Sequence, residues 1–153
     1  MPKKVGQCAL GGKMFKNIVL AVDGSDHAIH AAKIAGDLAR TMKSNSLWIV
    51  MAYDPIPTYL GEPNIQNAIT ARLEVAESAV QPVIKAVGKI PGEVRKEILE
   101  GPAAEEIIKV ADIRKCDLII MGSRGLGKLT GLVLGSQSQK VVSHAHCPVL
   151  IVR

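Results

Sequence analysis

Aromatic residues are nearly missing from this chain: one Trp, one Phe and two Tyr, 3% of the sequence. That scarcity argues against a nucleic-acid module that stacks bases on aromatic side chains. It also means that Val, Ile, Leu and Ala must fill the core, and hydrophobic residues do reach 48%. Cysteine is scarce too. Cys8, Cys116 and Cys147 make an odd count with no CxxC pair. Disulfide scaffolds are short and cysteine-dense, so reduced thiols in a cytoplasmic protein are expected. No apolar run approaches the ~20 residues that span a bilayer. The amino end, MPKKVGQCALGGK, has lysines but too short an apolar stretch for a signal peptide. Basic residues cluster only there, as Lys3, Lys4, Lys13 and Lys16. The net charge of +5 therefore reads as a solvated surface with a basic tail, not as a nucleic-acid or membrane contact. Internal repeats and low-complexity tracts are absent. Residues 1–13 read as a flexible basic extension and 14–153 as a single domain.

What is present alternates regularly. KNIVLAVD (Lys16 to Asp23) is a continuous apolar run with the look of a buried parallel strand. A helix follows, with Ser25 or Asp26 as cap. Its Ala28, Ala31, Ala32, Ala35, Leu38, Ala39 and Met42 share one face. SLWIVMAY (Ser46 to Tyr53) is the second strand, and the proline-rich DPIPTYLGEPN is a loop. A helix is expected from about Ile65 to Val87, with Leu73, Ala76, Val80, Val83 and Val87 inward and a kink or restart at Pro82. GEVRKEIL (Gly92 to Leu99) fits an edge strand. The next helix takes Pro102 at its first position and Glu105 and Glu106 in its first turn. CDLIIMG (Cys116 to Gly122), a helix from Ser136 to His144 and PVLIVR (Pro148 to Arg153) complete the chain. Alternating strands and helices imply a parallel sheet in a three-layer α/β/α fold.

Ligands of such sheets sit beyond the carboxyl ends of the strands. Two of these ends carry polar and glycine signals, AVDGS (Ala21 to Ser25) and MGSRG (Met121 to Gly125). They meet if the first and fourth strands are neighbours. Gly122 and Gly125 can let backbone approach a ligand. Gly135 and Ser136 open a helix whose free amides and dipole favour a phosphate. The spacing is neither a P-loop nor a strict dinucleotide fingerprint. On spacing alone, a tight connection in a packed core stays open beside a phosphate cradle. Asp23 can likewise simply cap the following helix. Arg124 and Lys128 can offset phosphate charge or face solvent. HAHC (His144 to Cys147) lacks the second cluster that a four-ligand zinc site needs, and no metal ligand is expected from the protein. His27 and His30 are expected at the surface and Cys116 in the core.

Gly122, Gly125, Gly135 and Ser136 satisfy G-x2-G-x9-G-[ST]. With IVLAVDGS, EGPAAEEIIKVADIRKCDLIIMGSRGLGKLTGL, LGSQSQKVV and CPVLIVR, the pattern resembles the ATP-binding universal stress proteins over residues 14–153. The resemblance implies a Rossmann-like fold of the adenine nucleotide alpha hydrolase-like kind, its five parallel strands ordered 3-2-1-4-5. It implies a homodimer through the last strand, Val149 to Val152. It also implies ATP with Mg²⁺ (or Mn²⁺) held through the phosphates. Ala21 and Ala52 would lie beside adenine, Asp23 at the ribose or phosphates, and Val22 among the nucleotide-binding residues. Met121, Gly122, Arg124, Gly125, Gly135, Ser136, Gln137 and Ser138 would surround ribose and triphosphate. Hydrolysis needs a base or orienting group, and only Gln137 and Gln139 offer themselves. The expected function is thus a nucleotide-dependent switch or regulator in stress response, with slow hydrolysis at most. The alternatives are a dimeric interaction protein that binds no nucleotide and a true ATPase.

Overall fold

Strand β1 (Asn17–Val22) is buried on both faces, which requires a cover on each side of the sheet. In the computed structural model, which describes residues 14–124 and 134–153, both covers are present. Expectations for residues 1–13, Gly125 and Lys128 fall outside the described residues. The sheet adds β2 (Ser46–Tyr53), β3 (Glu93–Glu100), β4 (Leu118–Gly122) and β5 (Val149–Val152). Every pairing is parallel and the order is β3-β2-β1-β4-β5, as expected. Helices α1 (Asp26–Met42) and α2 (Asn64–Val87) cover one face. Helices α3 (Ala103–Ile113) and α4 (Ser136–His144) cover the other.

Alternation along each strand feeds two cores. Ile18, Leu20, Ile120 and Val152 point to α1 and α2. Val19, Ala21, Ile119 and Met121 point to α3 and α4. At the amino ends of the central strands, the Asp117 carboxylate accepts from the amides of Lys16 (2.8 Å) and Asn17 (3.1 Å). This fastens the start of β1 to the start of β4.

The Ser25 hydroxyl caps α1 by accepting from the Ala28 amide at 3.3 Å. The alanine stripe of α1 is buried as its spacing requires, and Gly36 lies in the same stripe. A Cβ on Gly36 would sit 2.2 Å from the Val87 carbonyl oxygen. The two helices therefore cross backbone to backbone.

Several boundaries differ from expectation. Helix α2 runs unbroken through Pro82. Its flanks Val80 and Val83 are fully buried, and that packing holds the helix across the missing amide. Leu73 is 40% exposed instead of inward. Burial in α2 starts only at Ala76. A Cβ on Gly24, just past β1, would meet the Ala79 Cβ at 3.3 Å, so the first turns of α2 extend beyond the strand ends. Pro102 occupies the cap, one position before the helix. Cys116 is buried but precedes β4. The proline-rich loop holds a short 3₁₀ turn at Thr58–Leu60.

Gly36→Ala tests the helix crossing. Alanine improves helix propensity by about 1 kcal/mol, but its methyl has no room. A net loss of about 2 kcal/mol in unfolding free energy is expected by chemical denaturation; an unchanged or higher stability would mean that α1 and α2 do not meet there.

Candidate functional site

Because Ala21 pairs with Met121, β1 and β4 release the chain at the same height. After β1 come Asp23, Gly24 and Ser25; after β4 come Ser123 and Arg124. Gly24 takes φ of 81°, a conformation that glycine adopts without strain. The Asp23 carboxylate accepts from the Ser25 amide at 3.0 Å. Ser25 caps α1, so Asp23 shapes the turn ahead of the helix rather than capping it. One carboxylate oxygen makes that bond, and the residue is half-buried.

The start of α4 is clipped to the end of β4. Gly135 donates its amide to the Ser123 carbonyl at 2.9 Å, and the Ser138 hydroxyl donates to the Gly122 carbonyl at 3.1 Å. The Ser123 amide in turn donates to Val152 at 2.7 Å. Gly135 has extended backbone, and no side chain caps α4. The amides of its first turn therefore carry the positive end of the helix dipole toward the strand ends. Ser136 stands exposed at that end.

The expected residues divide by what they are already bonded to. Asp23 follows β1, Gly122 and Arg124 lie at and just after the end of β4, and Gly135 and Ser136 open α4. Ala21, Ala52 and Met121 share the α3/α4 face of the sheet by register. Ala52 belongs to β2, which runs two residues past the partner of the last β1 residue. Val22 turns its side chain into the opposite core. The Gln137 side chain is also committed, its Oε1 accepting from the Ala104 amide at 3.1 Å. That bond caps α3, whose own cap residue, Pro102, offers no side-chain bond. Ser138 is buried and spends its hydroxyl on Gly122. Val22, Gln137 and Ser138 can thus offer a ligand their main chain.

The two described glycines of the signature differ. A Cβ on Gly122 would lie 2.9 Å from the His27 Cβ and 3.3 Å from the His27 carbonyl carbon. Packing of β4 against α1 demands this glycine whatever the crevice holds. A Cβ on Gly135 would make only ordinary contacts, the nearest the Ser123 carbonyl oxygen at 3.4 Å and the Arg124 Cα at 3.7 Å. His27, expected at the surface, is half-buried against Gly122. Its place as second residue of α1 was readable; its contact with β4 needed the strand order.

Elsewhere the candidate groups are turned to structure. His144 Nδ1 lies 2.8 Å from the Lys140 carbonyl and His146 Nδ1 3.4 Å from Asp112 Oδ1. Among the described residues, no three His, Cys, Asp or Glu side chains group to hold a metal. Burial pushes the Cys116 thiol up to about 12, and burial also raises that of Cys147. No helix among the described residues is long and apolar enough to cross a membrane.

Residues 14–153 match the family model described as "Universal stress protein family". The chain belongs to the universal stress protein family. It is 50% identical over 140 residues to a universal stress protein of Thermus aquaticus, covering 92% of this chain and 100% of that one. A Methanocaldococcus jannaschii universal stress protein is 34% identical over 94% of this chain and 85% of its own. Among solved structures, the universal stress protein UspA of Lactobacillus plantarum superposes with a TM-score of 0.80 at 25% identity, covering 93% of this chain and 100% of that one. A universal stress protein in complex with cAMP superposes with a TM-score of 0.66 at 25% identity, covering 92% and 98%. These neighbours carry the same Rossmann-like α/β architecture as this universal stress protein.

The glycine contrast is directly testable by denaturation. Gly122→Ala should cost about 1–3 kcal/mol by overpacking against His27. Gly135→Ala should leave stability within about 0.5 kcal/mol, because its backbone suits any residue and an added Cβ would make only ordinary contacts. Equal costs at the two positions would contradict the contacts described.

Proposed function

We propose that this universal stress protein binds ATP across the β1/β4 crevice and acts as a nucleotide-dependent switch in stress response. The observation that carries the reading is the uncapped start of α4, clipped by Gly135 and Ser138 to the end of β4 on the same side as Asp23. First-turn amides and a helix dipole there suit a phosphate chain. The relative in complex with cAMP supports an adenine nucleotide.

In this reading Ala21, Val22 and Ala52 border adenine, and Asp23 bonds the ribose hydroxyls with its remaining carboxylate oxygen. Met121, Gly122, Arg124, Gly125, Gly135, Ser136, Gln137 and Ser138 surround ribose and phosphates, the last two through main-chain amides. The guanidinium of Arg124 offsets phosphate charge. Mg²⁺, which keeps most of its ligands as waters and phosphate oxygens, would spare Asp23 the repulsion of the triphosphate. Slow hydrolysis at most is in keeping with Gln137, whose Oε1 already accepts from the Ala104 amide, leaving Gln139 as the other amide to orient a water.

The sheet edges favour a homodimer as part of this function. Strand β3 defends its edge with Glu93, Arg95, Lys96, Glu97 and Glu100. Strand β5, Val149–Val152, has no charge, and Leu150 is 37% exposed. An undefended apolar edge pairs readily with another strand, here that of a second copy.

Denaturing the purified protein should release adenine nucleotide, and the nucleotide-free protein should bind ATP with Mg²⁺. Gly135→Val puts a branched side chain at the start of α4 and should weaken binding at least tenfold while the fold persists. A folded Gly135→Val that binds as before, or wild type that ignores millimolar ATP, sinks the reading in favour of an interaction-only dimer; steady multiple turnover would favour an ATPase. By analytical ultracentrifugation the wild type should sediment as a dimer and Leu150→Lys as a monomer, and a monomeric wild type would refute pairing through β5.

A further inference from the structure

Helices α3 and α4 leave between them an open cavity of about 610 Å³ that the nucleotide reading does not use. Ala104 and Ile108 give it an apolar wall. Ile113, the last residue of α3, lines its far end and is 62% exposed. Covering a side chain of that size is favourable. The charges of the cavity are unevenly used. Asp112 lies 3.4 Å from His146, and Lys109 pairs with Glu106 at 3.5 Å. Glu105, at the opposite end from Ile113, has no ion-pair partner among the described residues. The α4 side, Lys140 and His144, carries no acid.

The chain itself supplies a match. Lys16 and Asn17 donate their amides to Asp117, and the Asn17 side-chain amide reaches the Lys115 carbonyl at 3.5 Å. Asp117 is four residues past Ile113, so the segment before residue 14 joins the domain beside that end of α3. Its sequence is MPKKVGQCALGGK. Residues 5–12 have no charge and include Val5, Ala9 and Leu10; Lys3 and Lys4 stand before them. The reach is sufficient. Leu10 to Lys4 spans up to ~20 Å when extended, against ~12 Å from Ile113 to Glu105 along the helix. We propose that residues 3–10 dock in the α3/α4 cavity, with Leu10 against Ile113, Val5 toward Ile108 and Lys3 or Lys4 paired with Glu105. The uncharged middle passes Lys140 and His144 without repulsion. The docked segment closes the cavity to other ligands and links α3 to α4 at the end opposite the Gln137 cap. The inference stands apart from the nucleotide reading.

Trypsin tests the docking on the full chain, with cleavage after Lys3 and Lys4 followed by mass. Ile113→Asp and Glu105→Lys change exposed positions, so the fold should hold. Each should speed that cleavage about tenfold, because the cut tracks the undocked population. Cleavage after Lys89, on the other face of the sheet, should keep its wild-type rate. Equal rates after Lys3 and Lys4 in the three proteins overturn the inference. A second measurement needs no variant. In wild type the Leu10 methyl groups should show nuclear Overhauser contacts to those of Ile113. In a mixture of isotope-labelled and unlabelled chains, these contacts should stay within one chain. Their absence overturns the inference. Contacts found only between chains also overturn it, and would assign the cavity to a second copy.

Discussion

The pairing of β1 with β4 is the contact on which the rest of the molecule depends. Its register, Ile18 with Leu118 through Ala21 with Met121, puts two fully apolar strands side by side at the centre. From β1 the chain builds outward through β2 to β3, then returns across the sheet to place β4 and β5 on the other side. The reversal opens a crevice at the carboxyl ends of β1 and β4. It also assigns the helices, with α1 and α2 on one face and α3 and α4 on the other. The Asp117 carboxylate secures the same pairing at the opposite end of the strands.

Small residues turn this frame into close contacts. Gly36 lets α1 reach the main chain of α2, and Gly122 lets the start of α1 reach the end of β4. Gly92 does the same for the β2/β3 edge, where a Cβ would sit 2.3 Å from the carbonyl oxygens of Ser44 and Asn45. Alanine and glycine bring backbones near each other, and the few aromatic residues leave the core to branched aliphatic side chains. Gly135 stands apart. A Cβ there would clash with nothing, at the uncapped start of a helix.

Much of this was legible beforehand. The strands and helices announced themselves by runs and periodicity, and Ser46–Tyr53 and Ser136–His144 have the expected bounds. The strand order came from family resemblance, since local pattern says nothing of which strands pair. Leu73 misled because helical periodicity continues past the end of the sheet that buries it. Pro82 misled because buried flanks override the local penalty of proline. Gln137 and Ser138 sat at signature positions, but their side-chain partners, Ala104 and Gly122, lie 33 and 16 residues away.

The sequence by itself determined the alternating elements, the apolar faces and the family, because these reside in local spacing and in motifs. The tertiary structure alone decided what each signature position touches. Gly122 belongs first to the packing of β4 on α1, Gln137 caps α3, and His27 packs against Gly122. The reason is physical: whether a glycine is needed, or a side chain is free, depends on atoms brought up from distant segments, and spacing along the chain does not encode their approach.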